Sequence, residues 1–272
     1  MGQYTTLGIF NAAKRTKRII KLNSISSKVN RDIRDRMGIK DRKLAFKIYL
    51  YLGALFITSL VVSNLIFQKF FYWNPFGDVS VFGAPLFEIS VGVLPYPLTF
   101  LITDLISEIF GKKKANQIVV AGIFASVFSL AIVYTADAVP ATDWSPVSDA
   151  MFKSVFGNTI VAVFASMIAY LLAQFVDIQI YHFWKNLTKG KHLWFRNNFS
   201  TFSSQLIDTF TVVLLLCSFG EISWDRFTGL VISGFLFKIL IAFLDTPFLY
   251  FFVYLLRKRF GLELGEEIDL EA

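Results

Sequence analysis

Residues 95–117, PYPLTFLITDLISEIFGKKKANQ, combine a long apolar run with Asp104 and Glu108, two carboxylates placed four residues apart. In an α-helix this spacing puts both side chains on one face. A carboxylate in the hydrocarbon core of a bilayer costs about 2.5–3.5 kcal/mol even on the mildest scale, so that face has to turn toward protein or water. The stretch therefore predicts a membrane helix with a buried polar face, ended by the lysines at 112–114.

The composition of the whole chain agrees with a membrane location. Of its 272 residues, 55% are hydrophobic and only 17% are charged, and the mean hydropathy is +0.56. Apolar stretches of about 20 residues, the length of a helix that crosses a bilayer, recur along the chain. We predict an all-α membrane protein with six transmembrane helices, at about residues 45–68, 86–110, 117–136, 155–183, 201–219 and 229–256.

The distribution of charge predicts the orientation of these spans. The formal net charge of +7 would suggest a nucleic-acid partner on a soluble protein, but here the basic residues cluster before the first span and after the second, fourth and sixth. Lysine and arginine accumulate in cytoplasmic loops, so both termini are predicted to be cytoplasmic and no nucleic-acid partner is expected. The tryptophans fall at predicted span ends, as in an interfacial belt: Trp73, Trp144, Trp184, Trp194 and Trp224.

Three segments follow from this pattern: a basic cytoplasmic N-terminal extension (1–44), a six-helix transmembrane domain (45–256) and a cytoplasmic tail (257–272). The extension lacks the apolar core of a secretory signal peptide. A mitochondrial transit peptide, a surface helix on anionic lipid and a partly disordered segment all remain open. Six spans also allow an inverted repeat of three plus three, although LITDLISE and SQLIDTFT share little.

Polar and charged side chains inside the predicted spans are the candidate functional residues. Lys238 and Asp245 are seven apart, about 10 Å along a helix, so each needs a partner on another span. The acidic residues are predicted to converge on the cytoplasmic half of the membrane, around Lys238. Structural ion pairs are the alternative to a solute site or proton relay. The candidates for substrate binding or proton coupling are Asn64, Asp104, Glu108, Gln174, Asp177, Gln205, Asp208, Lys238 and Asp245.

Two further features bear on function. Pro95 and Pro97 lie inside the second predicted span, so we expect either a helix break that lines a cavity or a simple kink there. The chain has one cysteine, Cys217, and lacks a nucleotide-binding glycine loop, HExxH and CxxC. No enzymatic activity, cofactor or metal site is therefore expected.

Three stretches resemble the queuosine precursor transporter family, formerly described as vitamin uptake transporters. They are PLTFLITDLISEIFGKKKA (97–115), AQFVDIQIYHFWKNLTKGKHLWFRNNFSTFSSQLIDT (173–209) and KILIAFLDTPFLY (238–250). SLVVSNLIFQKFF in the first span is similar as well. The resemblance runs from about residue 45 to 256 and does not include the N-terminal extension.

The resemblance implies a six-helix protein of the bacterial inner membrane that imports 7-cyano-7-deazaguanine or 7-aminomethyl-7-deazaguanine as a secondary carrier. It also implies an architecture similar to the substrate-binding subunits of energy-coupling-factor transporters. A homodimer is left open, and no obligatory protein partner is expected. The recurring polar positions of the family fall here on Asn64, Asp104, Glu108, Gln174, Asp177, Arg196, Asn197, Ser200, Gln205, Asp208, Lys238 and Asp245.

The chemistry of a deazaguanine suits these residue types. A carboxylate can accept hydrogen bonds from its N1–H and 2-amino groups together, and an amide or lysine can donate to its O6. Its flat face can stack on an aromatic ring, for which Tyr96, Phe100, Phe202 and Phe210 are available. The alternatives are a substrate-binding subunit of an ATP-driven uptake system, a membrane enzyme and an assembly protein.

Overall fold

The computed structural model of the chain describes residues 37–67, 69–73, 77, 80–81, 84–85, 88–156, 160–189, 191–220 and 222–270. Most of the predicted N-terminal extension therefore lies outside the described residues. The described chain is mostly helical, as an all-α membrane protein requires. Its α-helices are α1 (Ile39–Ile66), α2 (Tyr96–Ile109), α3 (Gly111–Ala138), α4 (Asp149–Val155), α5 (Ile160–Leu187), α6 (Leu193–Ser218) and α7 (Phe227–Phe260).

Five described segments are long and apolar enough to cross a membrane. They are Ile39–Ile66, Val91–Ile109, Gly111–Ala138, Leu193–Ser218 and Trp224–Phe260. Helix α5 has 28 residues and covers most of the predicted fourth span, so six spans remains the predicted number. Several helices begin earlier than predicted, because polar and basic turns at their ends continue the helix beyond its apolar part. Helix α6, for example, starts eight residues before the predicted position 201.

The second span differs most from its prediction. The α-helix begins at Tyr96, with Pro95 at the N-cap and Pro97 in the first turn, and a short 3-10 helix, Val91–Val93, precedes it. The simple kink in a continuous helix is therefore wrong: the span is interrupted before Tyr96, the two prolines start the α-helix, and Val93, Tyr96 and Pro97 line a cavity. The physical reason is that the first turn of a helix has no partner for its N–H groups, so a missing donor costs nothing there.

Short β-strands connect α1 to α2, where the sequence analysis expected only a loop and the start of a helix. Strand β1 (Phe70–Tyr72) pairs antiparallel with β4 (Glu88–Ser90), and β2 (Ser80–Val81) pairs with β3 (Ala84–Pro85). The register of the first hairpin places Phe70 opposite Ser90. Strand β4 packs against α7, and Phe70, Ile89 and Ser90 of the first pair line a cavity between the helices.

Helix α2 is the central helix of the described bundle. It packs against α1, α3, α5 and α7, while α6 packs against α5 and α7. In the segment Val91–Ile109, which contains α2, 61% of the membrane-spanning part is buried inside the protein, compared with 17–39% in the other four segments. The apolar helix that carries Asp104 and Glu108 is therefore surrounded by protein, which explains how it tolerates two carboxylates.

The turn between α2 and α3 is much tighter than predicted. Phe110 separates the two helices, and Gly111 has a φ of +83°, a backbone conformation that favours glycine. The lysines at 112–114 lie in the first turn of α3, so the prediction that they form a loop after the second span is wrong. Lys112 donates a hydrogen bond to Gln179 of α5.

The C-terminal residues fold back onto the helix ends. Helix α7 continues through Pro247 and ends at Phe260, four residues beyond the predicted boundary. After it, Leu262 and Ile268 are buried in the main hydrophobic core, and the Ile268 N–H donates to the Ile109 carbonyl oxygen at 2.7 Å. The segment 261–270 is therefore packed against the helical bundle near the end of α2.

Candidate functional site

An ion pair between α6 and α7 lies at the centre of the candidate site. The Nζ atom of Lys238 is 2.5 Å from Oδ2 of Asp208, and their side chains are 11% and 1% exposed. The Tyr96 hydroxyl donates to Oδ1 of Asp208 at 3.5 Å, and Lys238 Nζ lies 5.2 Å from the centroid of the Tyr96 ring. Each of the three groups contacts the other two, so a lysine, a carboxylate and an aromatic ring from three helices form one unit.

This unit separates two cavities. The Asn64 cavity, which Asn64 and Asp208 line, has a volume of about 160 Å³. The Asp245 cavity, which Asp104 and Asp245 line, has a volume of about 30 Å³, room for about one water molecule. Both Tyr96 and Lys238 line both cavities. The lysine and tyrosine side chains therefore form part of the wall of each cavity.

The Asn64 cavity has apolar walls with polar groups at a few positions. Besides Asn64, Asp208, Tyr96 and Lys238, its polar side chains are Ser63, Ser90, Ser166 and Thr209. Three buried atoms, Ser63 Oγ, Asn64 Nδ2 and Thr209 Oγ1, have no hydrogen-bond partner among the described residues. Buried polar groups in native proteins are nearly always satisfied, so these atoms are suited to bind water or a polar solute.

The Asp245 cavity is more acidic. Asp104 and Asp245 line it together with Gln205 and Thr201, and the aromatic rings of Tyr96 and Phe100 form part of its wall. The buried atoms Gln205 Oε1 and Thr201 Oγ1 have no hydrogen-bond partner within the described part of the chain. Asp245 has no ion pair or hydrogen bond to a described residue, and it lines this cavity together with Lys238.

Asp177 and Gln174, both fully buried on α5, line neither cavity. The Ser204 hydroxyl donates to Oδ1 of Asp177 at 2.9 Å, and Gln174 Nε2 donates to the Tyr170 hydroxyl at 2.7 Å. The Tyr170 ring in turn packs edge-on against Tyr96, with centroids 5.2 Å apart. These two predicted site residues therefore lie behind the site, where they position α6 and the aromatic wall.

Glu108 also lies outside both cavities, in a separate group of charges at the other end of α2. Arg257 Nη2 is 2.5 Å from Oε1 of Glu108, Lys185 Nζ is 3.8 Å from Oε2, and the Tyr181 hydroxyl donates to Oε2 at 2.9 Å. Lys185 also pairs with Glu267 of the C-terminal segment at 2.6 Å. We call Glu108, Tyr181, Lys185, Arg257 and Glu267 the inner cluster.

Sequence reasoning missed the cationic members of this cluster. Lys185 and Arg257 were counted as loop and tail charges, whereas the structure places them at 4% and 9% exposure. Glu108 is one helical turn beyond Asp104, about 6 Å along the axis, and this displacement brings it to the ends of α5 and α7. The sequence did contain a signal for these cations. The predicted spans hold more acidic than basic residues, so some of the buried carboxylates require cations from outside the spans.

Of the four aromatic residues predicted to stack on the substrate, two line a cavity and two do not. Tyr96 lines both cavities and Phe100 lines the Asp245 cavity. By contrast, Phe202 packs on Phe243 at 5.1 Å, and Phe210 is 46% exposed beside Phe227. Ser200 is buried on α6. The side chains of two further positions that the family resemblance singled out lie outside the described residues: Arg196 and Asn197. Among the described residues, no group of three or more His, Cys, Asp or Glu side chains could hold a metal ion.

The fold and site together define a polytopic helical membrane protein with a charged site buried between its helices, the arrangement of a solute transporter. Residues 90–252 match the model of the family described as "Putative vitamin uptake transporter", and the chain belongs to this family. It is 26% identical over 173 residues to a protein of Bacillus subtilis (strain 168) described as "Probable queuosine precursor transporter". That similarity covers 63% of this chain and 73% of the relative. No solved structure matches the chain.

Proposed function

We propose that this protein imports queuosine precursors, 7-cyano-7-deazaguanine or 7-aminomethyl-7-deazaguanine or both, across the bacterial inner membrane. In this proposal the protein has both termini in the cytoplasm and works as a secondary carrier. It needs no obligatory protein partner. The similarity to the Bacillus protein described as a probable queuosine precursor transporter supports the substrate class. The observation that carries the proposal is the Lys238–Asp208 pair between two cavities.

The pair matches the hydrogen-bonding edge of a guanine-type base. Such a base presents O6 as an acceptor beside N1–H and the 2-amino group as donors. The Lys238 ammonium can donate to O6, while the Asp208 carboxylate accepts from the two donors. The Tyr96 ring, 5.2 Å from the ammonium, offers a face on which the bicyclic ring can stack. A solute without this edge would have to separate the buried charges uncompensated, which costs about 3–5 kcal/mol.

The volumes of the cavities indicate which conformation the structure represents. Pockets that bind drug-sized ligands usually measure about 300–1,000 Å³, whereas the Asn64 cavity measures about 160 Å³. We infer a contracted site that enlarges when the base enters and draws Lys238 and Tyr96 toward it. Movement of the Lys238 and Tyr96 side chains would then connect the base to the Asp245 cavity, as alternating access requires.

An uptake assay tests the proposal. Bacterial cells unable to make queuosine precursors would receive either the wild-type chain or Asp208→Ala, and uptake of a labelled deazaguanine base would be followed. We expect Asp208→Ala to abolish uptake while the protein still inserts in the membrane, as measured by immunoblot of membrane fractions. Asp143→Ala, which changes an exposed carboxylate far from the pair in sequence, is the matched control. Normal uptake by Asp208→Ala would remove this residue from the mechanism.

A second candidate has support from the family description, which refers to vitamin uptake. In this alternative the chain is the substrate-binding subunit of an ATP-driven system of the energy-coupling-factor type, for a vitamin-like or purine-like solute. The purified chain in liposomes, supplied only with a solute or proton gradient, distinguishes the two. Uptake under these conditions supports the secondary carrier, whereas binding without uptake supports the subunit.

A further inference from the structure

We propose that a groove between the first helix and the C-terminal segment binds an anionic phospholipid of the surrounding bilayer. The groove has a volume of about 600 Å³, and its walls come from the first four turns of α1 and from residues 268–270. It lies away from the Lys238–Asp208 pair, shares no lining residue with either cavity and does not depend on the proposed substrate.

One half of the groove is cationic. Arg42, Lys43 and Lys47 line it and are exposed, and Asp269 is the acidic residue on the opposite wall, which leaves a net charge of about +2. The neighbouring Asp41 is neutralised by Arg259 of α7, whose Nη2 lies 2.7 Å from Oδ1. A concave surface with excess positive charge is suited to a phosphate headgroup, and each such cation near an anionic membrane surface contributes about 1 kcal/mol.

The other half of the groove is apolar. Phe46, Leu50 and Tyr51 follow Arg42 and Lys43 at helical spacing on the same face of α1, and they are 53%, 53% and 68% exposed. Helical spacing places them within the next two turns, about 5–12 Å further along the axis. A phospholipid satisfies both halves, since its phosphate meets the cations and its acyl chains lie along the apolar turns. A free phosphate or a nucleic acid would leave the apolar half uncovered.

The far wall of the groove is held in place by specific contacts. Ile268 is 2% exposed and its backbone N–H donates to the Ile109 carbonyl oxygen at 2.7 Å. The adjacent Glu267 pairs with Lys185 at 2.6 Å. The C-terminal segment is therefore anchored to α2 and α5 on the residues just before Asp269. An anchored wall gives the groove a defined shape, which a headgroup site needs for selectivity over ordinary annular lipid.

Native mass spectrometry of the purified full chain tests the proposal. The probes are phosphatidylglycerol and phosphatidylcholine with identical acyl chains, and the variant is the double substitution Lys43→Gln with Lys47→Gln. We expect selective retention of phosphatidylglycerol by the wild type and roughly 30-fold weaker binding by the variant, the effect of two surface cations. The control is Lys189→Gln with Lys258→Gln, which removes two exposed cations outside the groove.

Four results would overturn the proposal. Equal retention of the two lipids would show that no anionic site exists, and equal loss in the variant and control would show that net charge alone decides binding. Displacement of the lipid by millimolar inorganic phosphate would indicate an anion site without an acyl-chain contribution. A fourth arm replaces Lys14, Arg15, Lys17 and Arg18 with glutamine in the full chain. We expect no effect there, and a loss as large as that of the groove variant would assign the lipid to the N-terminal segment instead.

Discussion

Lys238 and Asp208, on two neighbouring helices, form a buried ion pair with 2.5 Å between Nζ and Oδ2, and the lysine lines both of the cavities that meet at this point. The pair thus joins two helices and also lies between the Asn64 cavity and the Asp245 cavity. Its removal should affect the stability of the protein and its transport, and suitable variants can separate the two effects.

The first prediction concerns this separation. Lys238→Met leaves the Asp208 carboxylate, 1% exposed, without its cation. We expect a loss of about 3–5 kcal/mol, because a single buried charge loses its compensation. The double variant Lys238→Met with Asp208→Asn should recover most of that stability and still fail to transport. Thermal unfolding in detergent and uptake in cells measure the two properties, and transport by the double variant would argue against any role of the pair in binding.

The second prediction rests on the proposed substrates and concerns their 7-substituents. The aminomethyl group is cationic at neutral pH, whereas the cyano group is uncharged. Asp245 lines the small cavity beside Lys238 without a partner among the described residues, so it can meet that cation. We expect Asp245→Asn to lower uptake of the aminomethyl base about tenfold, the value of one charge-assisted hydrogen bond, and to change uptake of the cyano base little. Equal losses for the two bases, measured by competition, would contradict this role.

The third prediction concerns the inner cluster. Glu108 is 1% exposed and contacts Arg257 and Lys185. Glu108→Gln keeps the shape of the side chain but removes the carboxylate that compensates the buried Arg257, whereas Lys185 keeps its pair with Glu267. We therefore expect a loss of about 3–5 kcal/mol in the free energy of unfolding. Glu267→Gln is the matched comparison, because its side chain is 36% exposed and its pair with Lys185 should contribute at most about 1 kcal/mol. Equal unfolding midpoints for the two variants would show that burial does not set the strength of this cluster.

The fourth prediction concerns the close contact between α1 and the 3-10 helix. A Cβ atom on Gly92 would lie 2.6 Å from both the Phe67 Cβ and the Ser63 carbonyl oxygen. Gly92→Ala should therefore displace the end of α1 that lines the Asn64 cavity, at a cost of about 1–3 kcal/mol, and should lower uptake. The control is Gly38→Ala, since nothing lies within 4 Å of a Cβ at that position. An uptake rate unchanged by Gly92→Ala would show that this end of α1 does not shape the site.

The sequence predicted the membrane class and the identity of the inward-facing residues because both depend on composition and helical spacing. Apolar stretches of about 20 residues imply spanning helices, and a carboxylate within one of them has to find a polar environment. This reasoning predicts that Asp104, Asp208, Lys238 and Asp245 face away from lipid. It also predicted that Lys238 needs a partner on another span, and the structure pairs it with Asp208 of α6.

Other features could not be read from the sequence, because they depend on distances between helices. Glu108 shares a helix face with Asp104, yet packing of the ends of α5 and α7 gives it Arg257 and Lys185 as partners. The prolines at 95 and 97 predict a break or a kink, and the structure places them at the start of an α-helix that follows a short 3-10 helix.

The sequence by itself determined which side chains must avoid lipid, since the cost of a charge in hydrocarbon is a property of the residue and its place in an apolar run. Only the tertiary structure decided which of them meet, because the axial and rotational position of each helix is set by packing against its neighbours. That packing placed the acidic residues predicted to converge around Lys238 partly at two cavities and partly in the separate inner cluster. It also brought Tyr96, Asp208 and Lys238 together beside the cavities.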